Sequence, residues 1–370
     1  MAEHALQAAP EAPLSRVTLR RMDDALPAHR ARPARYVPRL PGVSLLLPLL
    51  LAFGTASAAK APVETHPGQA ALVREVAKDT GKSPWALNKL LNGAKMQQSI
   101  IDAMNRPAEG KPWSAYRPIF LTEDRINAGA EFYRTHEALL DGISRKYGVP
   151  AEYIVAIVGV ETFYGRNTGK YKVLDALTTL AFYYPKRAPF FREQLKVLLE
   201  LPPNHLGGPL DTLTGSYAGA QGWGQFMPSS IRDWGVDYDG DGRIDMKGSM
   251  GDIFASVANY FKEHGWQTGG PVAARAQPDR RAQAPAVPKD WRPVAPVESF
   301  VATGFAPVQH LDPGRDAQLL RLDGPSGDEY WFTFQNFYVI TTYNRSPMYA
   351  LAVDQLAQEI RARVKGPGAR

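Results

Sequence analysis

Glu161 stands alone at the end of an uncharged run. It follows YIVAIVGV, residues 153–160, in the stretch YIVAIVGVETFYG. At helical spacing it lies over Ile157 and Val158, with Ile154 one turn further back. Burial penalises a charged carboxylate and raises its pKa. A carboxyl that keeps its proton near neutrality can give it to a leaving oxygen, which is what breaking a glycosidic bond requires. Taken by itself, Glu161 is as readily a structural acid near a helix end, paired with Arg166.

The residues around it in sequence favour sugar chemistry. Tyr164, Tyr183, Tyr184, Trp223, Tyr260 and Tyr343 are candidates to stack on sugar rings, although each aromatic singly reads equally as core. In GSYAGAQGWGQFMPSS, residues 215–230, glycines allow the backbone to approach a ligand closely. Ser216 and Gln225 offer neutral hydrogen bonds, which do not force Glu161 to ionise as a lysine would. A two-carboxylate glycosidase needs a second acid. The nearest candidates are Asp175, which reads as a helix N-cap, and Glu152, in the first turn of the helix that carries Glu161. Neither stands out as a nucleophile. One glutamate suffices if the substrate supplies its own nucleophile, and hydrolysis with a distant second acid stays open.

A second cluster, DYDGDGRID, places Asp237, Asp239, Asp241 and Asp245 at positions 1, 3, 5 and 9 of a calcium loop. Gly242 fills position 6, and Arg243 offers its backbone carbonyl at position 7. Position 12 is Gly248, where a bidentate acid is wanted; Asp252 reaches in only if the loop is lengthened. A structural Ca2+ and a solvated Asp/Gly turn are both open, and the proton chemistry needs no cofactor.

These stretches carry a resemblance. VGVETFYGRNTGKYKVLDALTTLAFYYP, GSYAGAQGWGQFMPSSIRDWGVDYDGDGRID, ASVANYFKEHGW and NFYVITTYNRSPMYALAV, in that order, resemble the membrane-bound lytic murein transglycosylase B family over roughly residues 65–370. The resemblance implies a lysozyme-like helical core, with Glu161 as acid and base. It assigns Ser216, Gln225, Tyr343, Asn344 and, in the aromatic loop, Tyr116 to substrate binding, and it implies one metal site. The implied activity cuts the β-1,4 bond between N-acetylmuramic acid and N-acetylglucosamine in peptidoglycan, leaving a 1,6-anhydromuramoyl end. A muramidase cutting the same bond and a non-catalytic peptidoglycan-binding protein are the alternatives.

The elements that must position these groups are mostly helical. SPWALNKLLNGA, a long amphipathic stretch LTEDRINAGAEFYRTHEALLDGISRKYG with Thr122 as its cap, DALTTLAFYY, FFREQLKVLLEL, DIFASVANYFKEHGW and SPMYALAVDQLAQEIRARV all show helical periodicity. LLRLDG and DEYWFTFQNFYVITTY read as strands. The fold class is therefore mainly α, of the α+β kind, with a small inserted β region and an extra N-terminal helical region. No doubly wound alternation and no phosphate-binding glycine loop is present.

The chain of 370 residues divides into a leader over 1–58, with translation starting alternatively at Met22, and an N-terminal helical region over 59–150. A catalytic core over 151–268 holds the calcium-like loop. A flexible linker or insertion follows over 269–296, then a small β region over 297–335, and over 336–370 the chain returns to the core and ends in a helix. Arginines precede the apolar run VSLLLPLLLAF, and Ala56 and Ala58 suit a cleavage site, so export to the periplasm without a lasting membrane anchor is expected. There is no cysteine, hence no disulfide. Net charge is +6, of which half lies in the leader, and no basic stripe suggests nucleic acid. The seven histidines show no HExxH spacing, and no GxSxG elbow occurs. Glycan strands are the expected partner and a monomer the expected state.

Overall fold

The computed structural model describes residues 65–105 and 111–366; the leader expected over 1–58 lies outside them. Helices α1 (Gln69–Thr80), α2 (Pro84–Gly93), α3 (Gln98–Asn105) and α4 (Trp113–Phe120) come first. Then follow α5 (Glu123–Thr135), α6 (Glu137–Tyr147), α7 (Ala151–Thr162), α8 (Val173–Tyr183) and α9 (Ala188–Glu200). The later helices are α10 (Pro228–Trp234), α11 (Met250–Glu263), α12 (Val297–Ala302), α13 (Gln335–Tyr343) and α14 (Pro347–Lys365).

Helix α7 is the axis of the core. All of its residues except Tyr153 and Glu161 are buried, as expected for a helix apolar on every side. It packs against α5, α6, α11 and α14. The stretch 121–148, expected as one helix, is two. The Thr122 hydroxyl caps α5 by accepting from the Arg125 N–H, as its position predicts. His136 then leaves helical geometry, with φ −116° and ψ 16°, and starts α6 anew. The break lets both pieces cover α7, which a straight helix of that length would overrun.

Strands β1 (Tyr171–Lys172) and β2 (Thr214–Gly215) form a small antiparallel pair beside the glycine-rich loop. A five-stranded antiparallel sheet has the order β4 (Ala295–Pro296), β6 (Asp316–Gly324), β7 (Gly327–Thr333), β3 (Ala273–Pro278), β5 (Phe305–Pro307). Alternate residues of β6 serve two cores. Ala317 and Leu319 join Ala274, Ala276, Phe305 and Phe332 in a local cluster, while Leu320 and Leu322 face the main core.

Two expectations change here. The linker expected over 269–296 begins with β3, paired on both sides, so the irregular stretch is shorter. The run DEYWFTFQNFYVITTY is a strand only to Thr333, and its second half is helix α13. Burial of Phe337, Val339 and Ile340 in the main core, together with an Asn336 side chain that donates to the Gln267 and Gly270 carbonyls and accepts from the Gln267 N–H, outweighs the β preference of FYVITTY.

Candidate active site

The end of α7 is tied down on every side. Thr162, fully buried, donates from its hydroxyl to the Trp223 carbonyl at 3.0 Å and accepts from the Gly165 N–H at 3.1 Å. This joins Glu161 to the glycine-rich loop. The helix stops on two successive non-glycine residues in left-handed geometry, Phe163 (φ 52°) and Tyr164 (φ 56°). Such conformations cost energy and persist where packing enforces them. Here Tyr164 turns back along the helix, places its hydroxyl on the Arg125 carbonyl at 2.9 Å, and lies against Gly159. A Cβ at Gly159 would fall 2.6 Å from that hydroxyl. Gly159→Ala is therefore expected to cost about 1–3 kcal/mol by overpacking and to lower the thermal midpoint measured by circular dichroism. An unchanged midpoint would remove Tyr164 as the support of the Glu161 turn.

Glu161 is partly exposed, and its Oε1 accepts a 2.6 Å hydrogen bond from the Tyr349 hydroxyl. Burial pushes its carboxyl up from 4.5 to about 7, and the Tyr349 bond pulls in the opposite direction. Arg166, the expected structural partner, instead lies over the Phe163 ring at 4.5 Å. Tyr116, Tyr343 and Tyr349 all feel the Glu161 charge, and burial first, then that charge, drives each phenol upward. Among the described residues, no second carboxylate is close enough to perturb Glu161. Glu152 lies nine residues back on α7, about 13 Å along the axis, and faces Arg361 at 3.6 Å. Asp175 is not an N-cap, because Lys172 takes that position. The Asp175 carboxylate accepts from the Lys95 N–H and the Gln97 amide.

The remaining predicted residues divide by what they touch. The Tyr116 hydroxyl is buried and has no hydrogen-bond partner among the described residues. Tyr343 donates to the Gly224 carbonyl at 2.5 Å, which binds α13 to the glycine-rich loop. The Asn344 side-chain amide is nearly buried and makes no hydrogen bond to protein among the described residues. Ser216 accepts from the N–H groups of Ala218 and Ala220. The Gln225 amide donates to the Thr168 and Gly222 carbonyls from a left-handed backbone (φ 51°). Both shape the loop while leaving lone pairs or protons for a ligand. Tyr260 stands one layer back, its ring 4.9 Å from that of Tyr343 and its hydroxyl on the Thr342 carbonyl. Of the other aromatics expected along the groove, Tyr164 and Tyr184 are buried and packed in the core. Trp223 stacks on Phe132, and Tyr183 bonds His66.

Tyr349 is not among the residues singled out from the sequence. It lies 188 residues from Glu161 and is placed by a local capping contact. Ser346 caps α14 by accepting from the Tyr349 N–H, and Pro347 opens that helix.

In the acidic loop, carboxylate oxygens of Asp237, Asp239 and Asp252 lie within 4.8 Å of one another. Asp241 accepts from the Arg243 N–H, and Asp245 accepts from those of Lys247 and Gly248. The converging set thus includes the distant Asp252 and leaves out Asp241 and Asp245. Among the described residues no lysine or arginine pairs with the three. Three carboxylates with no cationic partner among the described residues suit a hard cation such as Ca2+; each now accepts hydrogen bonds from backbone N–H groups or, for Asp239, also from the Ser249 hydroxyl.

A family model described as the transglycosylase SLT domain matches residues 65–358. Membrane-bound lytic murein transglycosylase B of Escherichia coli (strain K12) is 42% identical over 284 residues, which is 74% of this chain and 77% of that protein. Among solved structures, the soluble lytic transglycosylase SltB1 from Pseudomonas aeruginosa is 46% identical with a TM-score of 0.76, over 81% of this chain and 100% of that one. The Escherichia coli lytic transglycosylase Slt35 in complex with calcium is 38% identical with a TM-score of 0.74, over 81% and 95%.

Proposed function

Because the chain belongs to the transglycosylase SLT domain family, we propose that Glu161 is the single acid and base of a lytic transglycosylase acting on peptidoglycan. The observation that carries this is one carboxyl held near neutrality among three tyrosines, with no second carboxylate among the described residues perturbing it.

As acid, Glu161 gives its proton to the oxygen between N-acetylmuramic acid and N-acetylglucosamine while the bond from C1 to that oxygen breaks. The carboxylate so formed takes the proton of the muramoyl C6 hydroxyl, whose oxygen bonds to C1. The products are a new N-acetylglucosamine hydroxyl and a 1,6-anhydromuramoyl end; no water is consumed and Glu161 regains its proton. Tyr349 keeps the carboxyl aimed. Asn344, whose amide makes no hydrogen bond to protein among the described residues, is suited with Ser216 to orient the N-acetyl group at C1. Mass spectrometry of purified glycan strands after digestion decides the outcome. Anhydromuramoyl ends are expected, whereas reducing muramic acid ends would mean hydrolysis.

Turnover should fall as pH rises through about 7, where Glu161 loses its proton. Tyr349→Phe removes a hydrogen bond that favours the ionised form. Its alkaline limb is expected to move to higher pH, with about a tenfold loss of kcat at pH 6 from poorer aim. A limb in the same place would mean that Tyr349 does not govern the acid.

Asp237, Asp239 and Asp252 would hold a calcium ion whose charge offsets theirs and fixes the loop after the glycine-rich segment. No step of the reaction uses it. The substrate implies a periplasmic enzyme, and no helix among the described residues is long and apolar enough to cross a membrane.

A further inference from the structure

Helices α7 and α14 are joined by three polar contacts in antiparallel order. Glu161 at the end of α7 meets Tyr349 at the start of α14. Tyr153, near the start of α7, donates to Asp354 at 2.7 Å, and Glu152 faces Arg361 further along α14. The middle contact plays no part in the proton chemistry. Asp354 is 1% exposed and has no cationic partner among the described residues; its second oxygen accepts from Gln358 at 2.9 Å. A buried acid is costly, and an apolar side chain of that volume would pack at least as well. The hydrophobic driving force itself has no direction, whereas a short hydrogen bond admits one alignment of its donor and acceptor and so adds to what packing fixes.

We propose that Asp354 and Tyr153 form a positioning pair that sets the register of α14 on α7 and thereby keeps the Tyr349 hydroxyl on Glu161. The pair lies five residues from Tyr349 on α14 and eight from Glu161 on α7, so both helices transmit its position as rigid rods. Tyr153 is itself wedged edge-on against Trp266 at 5.1 Å, which in turn stacks on Phe261 of α11. Burial raises the Asp354 carboxyl to about 6, while its hydrogen bonds from Tyr153 and Gln358 pull the other way. The charged groups nearby are Glu152 and Arg361; Arg117 on α4 and Glu123 on α5 reach α14 at Gln355 and Arg363 instead.

The inference rests on Glu161 as the acid, so its test reads that carboxyl in two ways. In the full chain, the Glu161 resonance, assigned by difference from Glu161→Gln, is titrated by 13C NMR, and kcat is measured against pH on glycan strands. Tyr153→Phe and Asp354→Leu are each expected to raise the Glu161 titration toward its position in Tyr349→Phe. Each should also lower kcat about tenfold at pH 6 with little change in KM. Asp354→Asn, which retains an acceptor for Tyr153, should keep the wild-type titration. In a Tyr349→Phe background, Asp354→Leu should produce no further shift. A Glu161 titration unmoved in Tyr153→Phe, which deletes one oxygen and spares the fold, overturns the pairing whatever happens to thermal stability. A shifted titration with an unshifted kcat profile would leave the pairing standing and reject Glu161 as the acid.

Discussion

Glu161→Gln should lower the yield of anhydromuramoyl ends about a thousandfold while leaving the protein folded. A positioned acid and base contributes roughly 10²–10⁴ in rate, and here one group serves both steps. The amide retains an oxygen for the Tyr349 hydroxyl, so the geometry at the end of α7 is kept. Stability gives an independent readout. The folded carboxyl titrates at about 7 and the unfolded one at 4.5, so the native state binds the extra proton between those values. Native stability therefore falls as pH rises through that window, and the full cost is present above it. Gln removes the cost. After a discount for partial exposure, the variant should be about 1–3 kcal/mol more stable than wild type at pH 8 and equal to it at pH 4. Urea titrations at both pH values test this. A variant with wild-type turnover would end the role of Glu161, and equal stability at pH 8 would show that its carboxylate is freely solvated.

The same physics explains what was legible in the sequence. One acid after an uncharged octet is a legible signal of a raised pKa because desolvation depends on near neighbours along a helix, and these are written in order. The Thr122 cap is local for the same reason. Partners across the fold are not written that way. Tyr349 reads as one more aromatic in a helix until α14 lies on α7. Tyr164 reads as a sugar platform until its reversed backbone folds it into the gap left by Gly159. Strand β3 was hidden because its buried face is Ala274 and Ala276, residues with little β preference and little apolar area. The segment FYVITTY erred in the other direction. Its β-branched residues suit a strand, but its burial and the Asn336 hydrogen bonds favour helix α13.

Asp252→Ala should be the most damaging substitution away from the catalytic carboxyl. Asp252 is 1% exposed, and its two oxygens accept from the backbone N–H groups of Tyr238 and Asp245, at 2.9 and 2.8 Å. Alanine leaves both donors unpaired, at about 1–3 kcal/mol each. It also removes one of three carboxylates that converge in the loop. A loss of about 3 kcal/mol in calcium-free protein corresponds to a fall in thermal midpoint of roughly 4–5 °C for a chain of this size. Calcium should separate the two effects. At a hundredfold excess over its dissociation constant, one bound ion adds about 2.7 kcal/mol to wild type, and the variant should gain far less. The pH dependence has a definite sign. Burial, and to a smaller extent the neighbouring Asp239, raise the Asp252 carboxyl, while the two backbone bonds oppose them. Without calcium, this contribution is therefore present at low pH and lost as pH rises through the raised carboxylate range. A cation reverses that loss, so its stabilising effect should grow with pH. Calorimetry with calcium and with chelator, at pH 4 and pH 7, reads all three quantities. Equal midpoints for wild type with and without calcium at pH 7 would show that the three aspartates are a solvated turn.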